Sequence, residues 1–340
     1  MSDKSLLNKP FEHIYIEEGV KDHPMTLQVL ARYESSKRIY IRHYKDVFNR
    51  KNQNFRAQSM SRSLILAKNT GNLIFKGSDM CQDHGNSRFY YATSVMNCLF
   101  DCDYCFLKGM YPTADIVIFV NLEDYASKIR EMLQEGPMYL SISYDTDLLA
   151  LNKVADLLSF WTELALKEKD LTLEIRTKAL CDVFEPVPNI IYSFTLSPQK
   201  VISSYEKHTA GLNSRLQSVI KACEAGCKVR LCFDPVVYIN GWEECYNSFM
   251  DEVIPQIPWD KITDISVGTF RISKEYQKGL RSSCPMSAVT EYPYINEGGY
   301  LKIDNEMASR MREIIVSGLR EVKDEKYIFC DSDGSFLGDR

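Results

Sequence analysis

Cys98-Leu99-Phe100-Asp101-Cys102-Asp103-Tyr104-Cys105-Phe106 packs three thiols into eight residues, directly ahead of a long run of alternating β-like and helical segments. The β-rich runs fall at 115–120, 138–143, 171–177, 190–196, 228–236 and 264–270. Segments with apolar residues at helical spacing separate most of them, for example 148–166, 213–225 and 242–254. Strands that alternate with helices of this length imply βα units and a parallel sheet. Six such units, with the cysteine cluster just before the first, predict an α/β fold: a partial (βα)6 barrel of the TIM type over 91–270. Residues 1–90 are less regular and read as an N-terminal α/β extension packed on the barrel. Over 271–340 the alternation stops. There, 292–303 predicts a β-hairpin turning at Gly298-Gly299, followed by a helix at 305–322 and a short strand at 327–330.

The chain has 340 residues, 45% hydrophobic and 26% charged, which is ordinary globular composition with length enough for a large core. Its net charge of −5 weighs weakly against an obligate nucleic-acid binder, because such domains are more often basic. Basic and aromatic residues interleave over 37–45, and 56–62 adds Arg, Gln and Ser. Such a mixture can track a nucleic-acid backbone, although a solvated strand face is the commoner meaning. There is no apolar run of about 20 residues, and the N-terminal MSDKSLLNKPFEH lacks the apolar core of a signal peptide, so a cytoplasmic protein without a membrane partner is expected. In a reducing compartment, eleven cysteines serve metal binding, catalysis or burial rather than disulfides.

Soft thiolates select iron–sulfur clusters, zinc or copper(I). Structural zinc prefers four ligands in paired spacings, and no second C-x-x-C pair occurs in this chain. A [4Fe–4S] cluster normally takes four cysteines, so three leave one iron open to a ligand. The spacing C-x-x-x-C-x-x-C, with Tyr104 directly before the last cysteine, resembles that of the radical S-adenosylmethionine superfamily. The resemblance implies that Cys98, Cys102 and Cys105 ligate a [4Fe–4S] cluster whose open iron binds S-adenosylmethionine.

Further landmarks resemble the spore photoproduct lyase family in particular, whose members split a methylene-bridged thymine dimer in UV-damaged DNA. They begin at Lys9-Pro10-Phe11 and continue through Tyr90-Tyr91-Ala92-Thr93-Ser94-Val95-Met96-Asn97-Cys98 to Val120-Asn121-Leu122-Glu123-Asp124. Arg176-Thr177-Lys178, Tyr192-Ser193-Phe194, Arg215-Leu216 and Ala225-Gly226 follow in order. The most specific stretch outside the cluster is Asp234-Pro235-Val236-Val237-Tyr238-Ile239-Asn240-Gly241-Trp242-Glu243-Glu244. The resemblance implies that Lys178 pairs with the cofactor carboxylate and that Ser193 hydrogen-bonds it. It puts Thr146 where the family has a serine, and Asp234 at a backbone contact to the cofactor. A reducing electron donor such as ferredoxin or flavodoxin is implied as a partner, with damaged DNA as substrate.

The chain departs from that pattern at two places. Aligning Asp147 with the family's aspartate puts Tyr144 where lesion-repairing members have a hydrogen-donating cysteine. Phe106 stands where they have a tyrosine, while Tyr104 keeps the other aromatic. Tyr144 and Cys232 are thus the candidate hydrogen donors, with Tyr104 beside them. The hairpin tip, Asn296-Glu297-Gly298-Gly299, carries little positive charge for a DNA wedge. Tyr292, Tyr294 and Tyr300 are available for stacking, and Arg271, Lys274, Lys278 and Arg281 for phosphates. Two alternatives follow: a paralogue using the same radical chemistry on another substrate, and a non-catalytic zinc- or nucleic-acid-binding protein whose zinc is completed by Cys81 or His84.

Overall fold

Continuously apolar runs need cover on both faces, and they form the centre of the molecule. In the computed structural model, which describes residues 11–78 and 81–331, every residue of Ile190–Thr195 is buried. Lys9 and Pro10, where the family resemblance begins, lie outside the described residues. The large sheet has eight strands, in the order Ile328–Cys330, Ile262–Thr269, Lys228–Val236, Ile190–Thr195, Leu171–Thr177, Met138–Ser141, Phe89–Ala92 and Ile74–Lys76. All neighbours in it are parallel except the last pair, so the molecule is a mixed α/β fold on a large parallel sheet.

The membership of that sheet differs from expectation at one strand. The run at 115–120 does form a strand, Ile116–Phe119, but not in the large sheet. It belongs to a separate five-stranded sheet, between Leu64–Ala67 and Val95–Met96. The other members there are His13–Glu17 and Lys37–Ile41. The position beside Met138–Ser141 is taken by Phe89–Ala92. The cysteine loop therefore follows the first parallel strand of the large sheet rather than preceding it. After that loop, the chain crosses to the smaller sheet before the helix Leu122–Leu133 brings it back.

Local chemistry sets the helix boundaries. The single helix expected over 148–166 is two, Leu148–Leu151 and Leu157–Lys167. Asp156 caps the second one, while Asn152 accepts a hydrogen bond from the Leu158 N–H at 2.7 Å, so the chain restarts instead of running through. Between Leu171–Thr177 and Ile190–Thr195 there is no helix; Pro186 and Pro188 lie in that crossover. The hairpin forms as Ile295–Glu297 and Tyr300–Lys302, with both turn glycines at positive φ, and Arg271–Ser273 adds a third strand. The helix Asn305–Arg320 follows, and Ile328–Cys330 closes on the edge of the large sheet. Lys37–Ile41, the centre of the basic and aromatic stretch, is an edge strand whose residues are half-buried or exposed. No helix among the described residues is long and apolar enough to cross a membrane.

A layer of buried charge crosses the inside of the large sheet. The Arg230 guanidinium donates to both oxygens of Asp264, to Glu174 at 3.3 Å and to the Tyr139 hydroxyl. Burial alone would raise the Glu174 carboxyl, but Arg230 and Arg176 more than offset it and hold it at about 2. Of this layer, Glu174 reaches the cavity described next.

Candidate radical site

A cavity of about 630 Å³ opens at the C-terminal ends of the parallel strands, a size that suits a cofactor with its substrate. Tyr91, Ser143, Lys178, Thr195, Asp234 and Phe270, from six successive strand ends, reach its wall. In α/β architecture this is the end where ligands bind.

All three cysteines of the loop, Cys98, Cys102 and Cys105, line this cavity. The loop is held from several sides. Asp101 and Cys102 pair antiparallel with Glu206 and Lys207. Lys108 bridges Asp101 at 2.8 Å, and Lys207 bridges Asp103 at 2.8 Å. Arg62 donates to the carbonyls of Leu99 at 2.8 Å and Phe100 at 3.2 Å. Burial pushes the Cys98 thiol up to about 12, with Asp147 and Cys105 adding to it. Burial also raises Cys102 and Cys105, while Lys178 draws both down. The three sulfurs are thus close enough to feel one another's charge.

Among the described residues, no three His, Cys, Asp or Glu side chains converge as the ligands of a single metal ion would. Cys81 and His84 accordingly do not complete a tetrahedral zinc set with the loop. His84 instead packs edge-on to Phe329 at 5.3 Å. Thiols that each take a different iron of one polynuclear cluster need no such convergence, so the donor set fits a cluster better than a lone ion.

The wall also fits a zwitterionic cofactor. Among the described residues Lys178 has no ion-pair partner, and its ammonium sits 5.5 Å from the centre of the Tyr104 ring. The Lys178 N–H donates to Asp147 at 2.7 Å, and Asp147 also accepts from Thr177 and caps Leu148–Leu151. The hydroxyls of Thr146 and Ser143 are buried in the wall without a hydrogen-bond partner. Buried polar groups are nearly always paired, so two orphans in one cavity point to a missing ligand.

Other expected residues lie elsewhere or are already engaged. Ser193 is fully buried and donates to Glu174 at 2.8 Å; Thr195, two residues on and on the same face of the strand, reaches the cavity in its place. Asp234 lines the cavity, but its carboxylate is shared by Arg176 at 3.5 Å and Arg271 at 3.7 Å, which together outweigh burial and lower its pKa. Cys232 is not brought to the wall: it is fully buried, and burial raises its thiol while the Arg176 charge draws it down. Tyr104 lines the cavity with its O–H committed to Glu206, which also accepts from Ser197 and the buried Arg215. Tyr144 does face the cavity, stacked on Tyr91 at 4.1 Å and tilted against Phe106 at 5.6 Å.

The C-terminal region corrects two further expectations. Arg271 turns inward to Asp331 and Asp234, so it is not available to a phosphate; Lys274, Lys278 and Arg281 stay exposed. Tyr292 and Tyr294 pack on Tyr238 and Phe270, and the Tyr294 hydroxyl donates to Val289 at 2.6 Å. Only Tyr300 of the three reaches the cavity. Sequence reasoning missed Arg62 and Glu206, and it weighed Cys81 only as a zinc ligand, not as a neighbour of Tyr144. Arg62 sat in a stretch read for nucleic acid, and nothing in local spacing marks the other two.

The Spore photoproduct lyase family model matches residues 10–291. The chain belongs to the spore photoproduct lyase family. That family is one of radical S-adenosylmethionine lyases. The spore photoproduct lyase of Bacillus subtilis is 22% identical over 191 residues, 52% of this chain and 54% of that protein. The one from Geobacillus sp. is 21% identical over 190 residues, again 52% and 54%, so the match spans about half the length of these two relatives. The Clostridium acetobutylicum protein is 22% identical over 251 residues, 71% of this chain and 73% of its own. A solved spore photoproduct lyase complexed with dinucleoside spore photoproduct superposes with a TM-score of 0.78 at 16% identity, covering 95% of this chain and 99% of that one. A variant with bound AdoMet and the same dinucleoside gives 0.76 at 16%, with the same coverage. At that identity the superposition speaks for the fold alone.

An Arg62→Ala variant leaves the half-buried Leu99 and Phe100 carbonyls without their donor, at a cost of about 0.5–1.5 kcal/mol each. It is expected to fold yet lose reconstituted iron faster than wild type under a chelator, as measured by iron content over time.

Proposed function

We propose that this chain is a radical S-adenosylmethionine lyase acting on a thymine-derived DNA lesion, with its large sheet curled into a partial (βα)6 barrel. The observation that carries the reading is the three-cysteine loop opening into one cavity with an unpaired lysine and two orphaned hydroxyls. The sequential order of the parallel strands supports the barrel, since neighbours in the chain are neighbours in the sheet. When bound, the [4Fe–4S] cluster and S-adenosylmethionine supply reductive cleavage of a sulfonium and a hydrogen-abstracting carbon radical.

Cys98, Cys102 and Cys105 would hold the cluster. Lys178 would neutralise the cofactor carboxylate, and the Thr146 hydroxyl would hydrogen-bond it. Thr195, rather than the buried Ser193, is the fourth-strand hydroxyl within reach. Asp234 fixes Arg176 and Arg271 and presents its backbone at the cavity edge. Tyr104, anchored by Glu206, holds its ring under Lys178. Tyr91, Phe106 and Tyr300 give flat apolar walls on which a pyrimidine could stack. A low-potential donor of the ferredoxin or flavodoxin class would reduce the cluster, and a cytoplasmic setting suits its oxygen-sensitive iron.

The test is anaerobic reconstitution followed by incubation with the dinucleoside spore photoproduct. Bound iron and sulfide, 5′-deoxyadenosine and released thymine dinucleoside are expected together. Cofactor cleavage with no lesion consumed would favour a paralogue acting on another substrate. A colourless protein holding zinc would refute the reading.

A further inference from the structure

Among the described residues the cavity wall holds four thiols: the three loop cysteines and Cys81. We propose that Cys81 gives the hydrogen atom that quenches the substrate radical, and that Tyr144 restores the thiol. The proposal rests on the radical-enzyme reading above.

The geometry is a dyad. The Cys81 thiol donates to the Tyr144 hydroxyl, with 3.6 Å between sulfur and oxygen. Both residues line the cavity, on the side closed by Tyr91 and Phe106. Beside them, Ser143 and Thr146 are only 7% and 8% exposed, and their hydroxyls lack partners, so this part of the wall faces space built for a ligand. The other candidate donors are withdrawn. Cys232 is fully buried and absent from the cavity wall, and the Tyr104 O–H is spent on Glu206.

The chemistry of the pair suits a hydrogen donor and not a nucleophile. Burial raises both the thiol and the phenol, so each keeps its hydrogen at neutral pH. A carbon radical on the substrate takes the hydrogen atom of Cys81: the S–H bond breaks, a C–H bond forms, and a thiyl radical remains. Tyr144 then passes its O–H hydrogen to that sulfur and becomes a phenoxyl radical. One electron from the low-potential donor that serves the cluster, with one proton from water, resets the phenol. The thiol in this chain thus stands beside the family's usual position, and the tyrosine at that position becomes its partner.

The experiment follows solvent deuterium into the repaired dinucleoside, with 5′-deoxyadenosine measured in the same samples. In heavy water, wild type is expected to put a single solvent deuterium into each product molecule. Cys81→Ala, and Cys81→Ser as the variant that keeps size and polarity, should lose that label and the repaired product formed per cofactor cleaved. Tyr144→Phe should keep the label in the first turnover and then stall. Labelled product from both Cys81 variants, at the wild-type yield per cofactor, would overturn the assignment. Sustained wild-type turnover by Tyr144→Phe would overturn the relay. Absence of 5′-deoxyadenosine from wild type itself would mean that the underlying reading has failed, and the proposal with it. A metal-free readout is independent of turnover: in folded apoprotein, iodoacetamide should alkylate Cys81 well before Cys232, as resolved by peptide mass. Equal protection of the two thiols would contradict an open route from the cavity to Cys81.

Discussion

A Cys102→Ala variant is expected to fold, to retain no [4Fe–4S] cluster after reconstitution, and to lose cofactor cleavage altogether. Cys102 is the most enclosed thiol of the loop, and its backbone is paired with Glu206. Alanine preserves that pairing and the neighbouring bridges of Lys108 to Asp101 and Lys207 to Asp103, so the loop keeps its path. What disappears is a ligand, and a cluster already held by three protein thiolates has none to spare. Iron and sulfide content with circular dichroism checks both halves. An iron-replete Cys102→Ala protein would mean that the cluster sits elsewhere.

Replacing Arg230 by Met is expected to lower unfolding free energy by about 3–5 kcal/mol, because one partner of a buried ionic network is removed. Glu174 and Asp264 would be left facing each other with the guanidinium gone and only Ser193 still donating to Glu174. The pH dependence weakens with it. In wild type, Glu174 is held at about 2, below its unfolded value, so it contributes stability above the usual glutamate range that is lost as pH falls toward about 2. Without Arg230, only Arg176, His84 and Ser193 are left to offset burial, so that carboxyl rises from its wild-type position. The variant should then gain stability relative to wild type as acid protonates it. Urea unfolding at pH 7 and pH 5 reads both effects. An equal gap between the two proteins at both pH values would show that the charge layer does not govern the loss.

The α/β class, the parallel sheet and most strand positions were legible because strands buried on both faces leave long apolar runs. Lys228–Val236 coincides with the run read at 228–236. The misplacement of 115–120 has a physical origin: Ile116–Phe119 is fully buried, an apolar run suits either sheet, and the choice of pairing partner is tertiary. Likewise the breaks near Asn152 and Asp156 depend on caps that compete with an unbroken helical pattern. At the site, the cysteine loop announced itself by spacing. Cys81 could not, being a single thiol upstream that only the folded chain carries to Tyr144. Tyr292 and Tyr294 show the reverse: aromatics suited to stacking on bases are equally suited to packing, and here they pack.

The excursion of the chain through the smaller sheet, between the cysteine loop and Met138–Ser141, bears on how such a protein can be taken apart. Ile116–Phe119 is laced between Leu64–Ala67 and Val95–Met96, so the N-terminal region cannot be exchanged or trimmed like a bead on a string. Cutting it away strips the lattice that tethers both ends of the loop bearing the thiols. The two sheets are joined through the loop that bears the thiols, so neither is expected to hold that loop in place by itself.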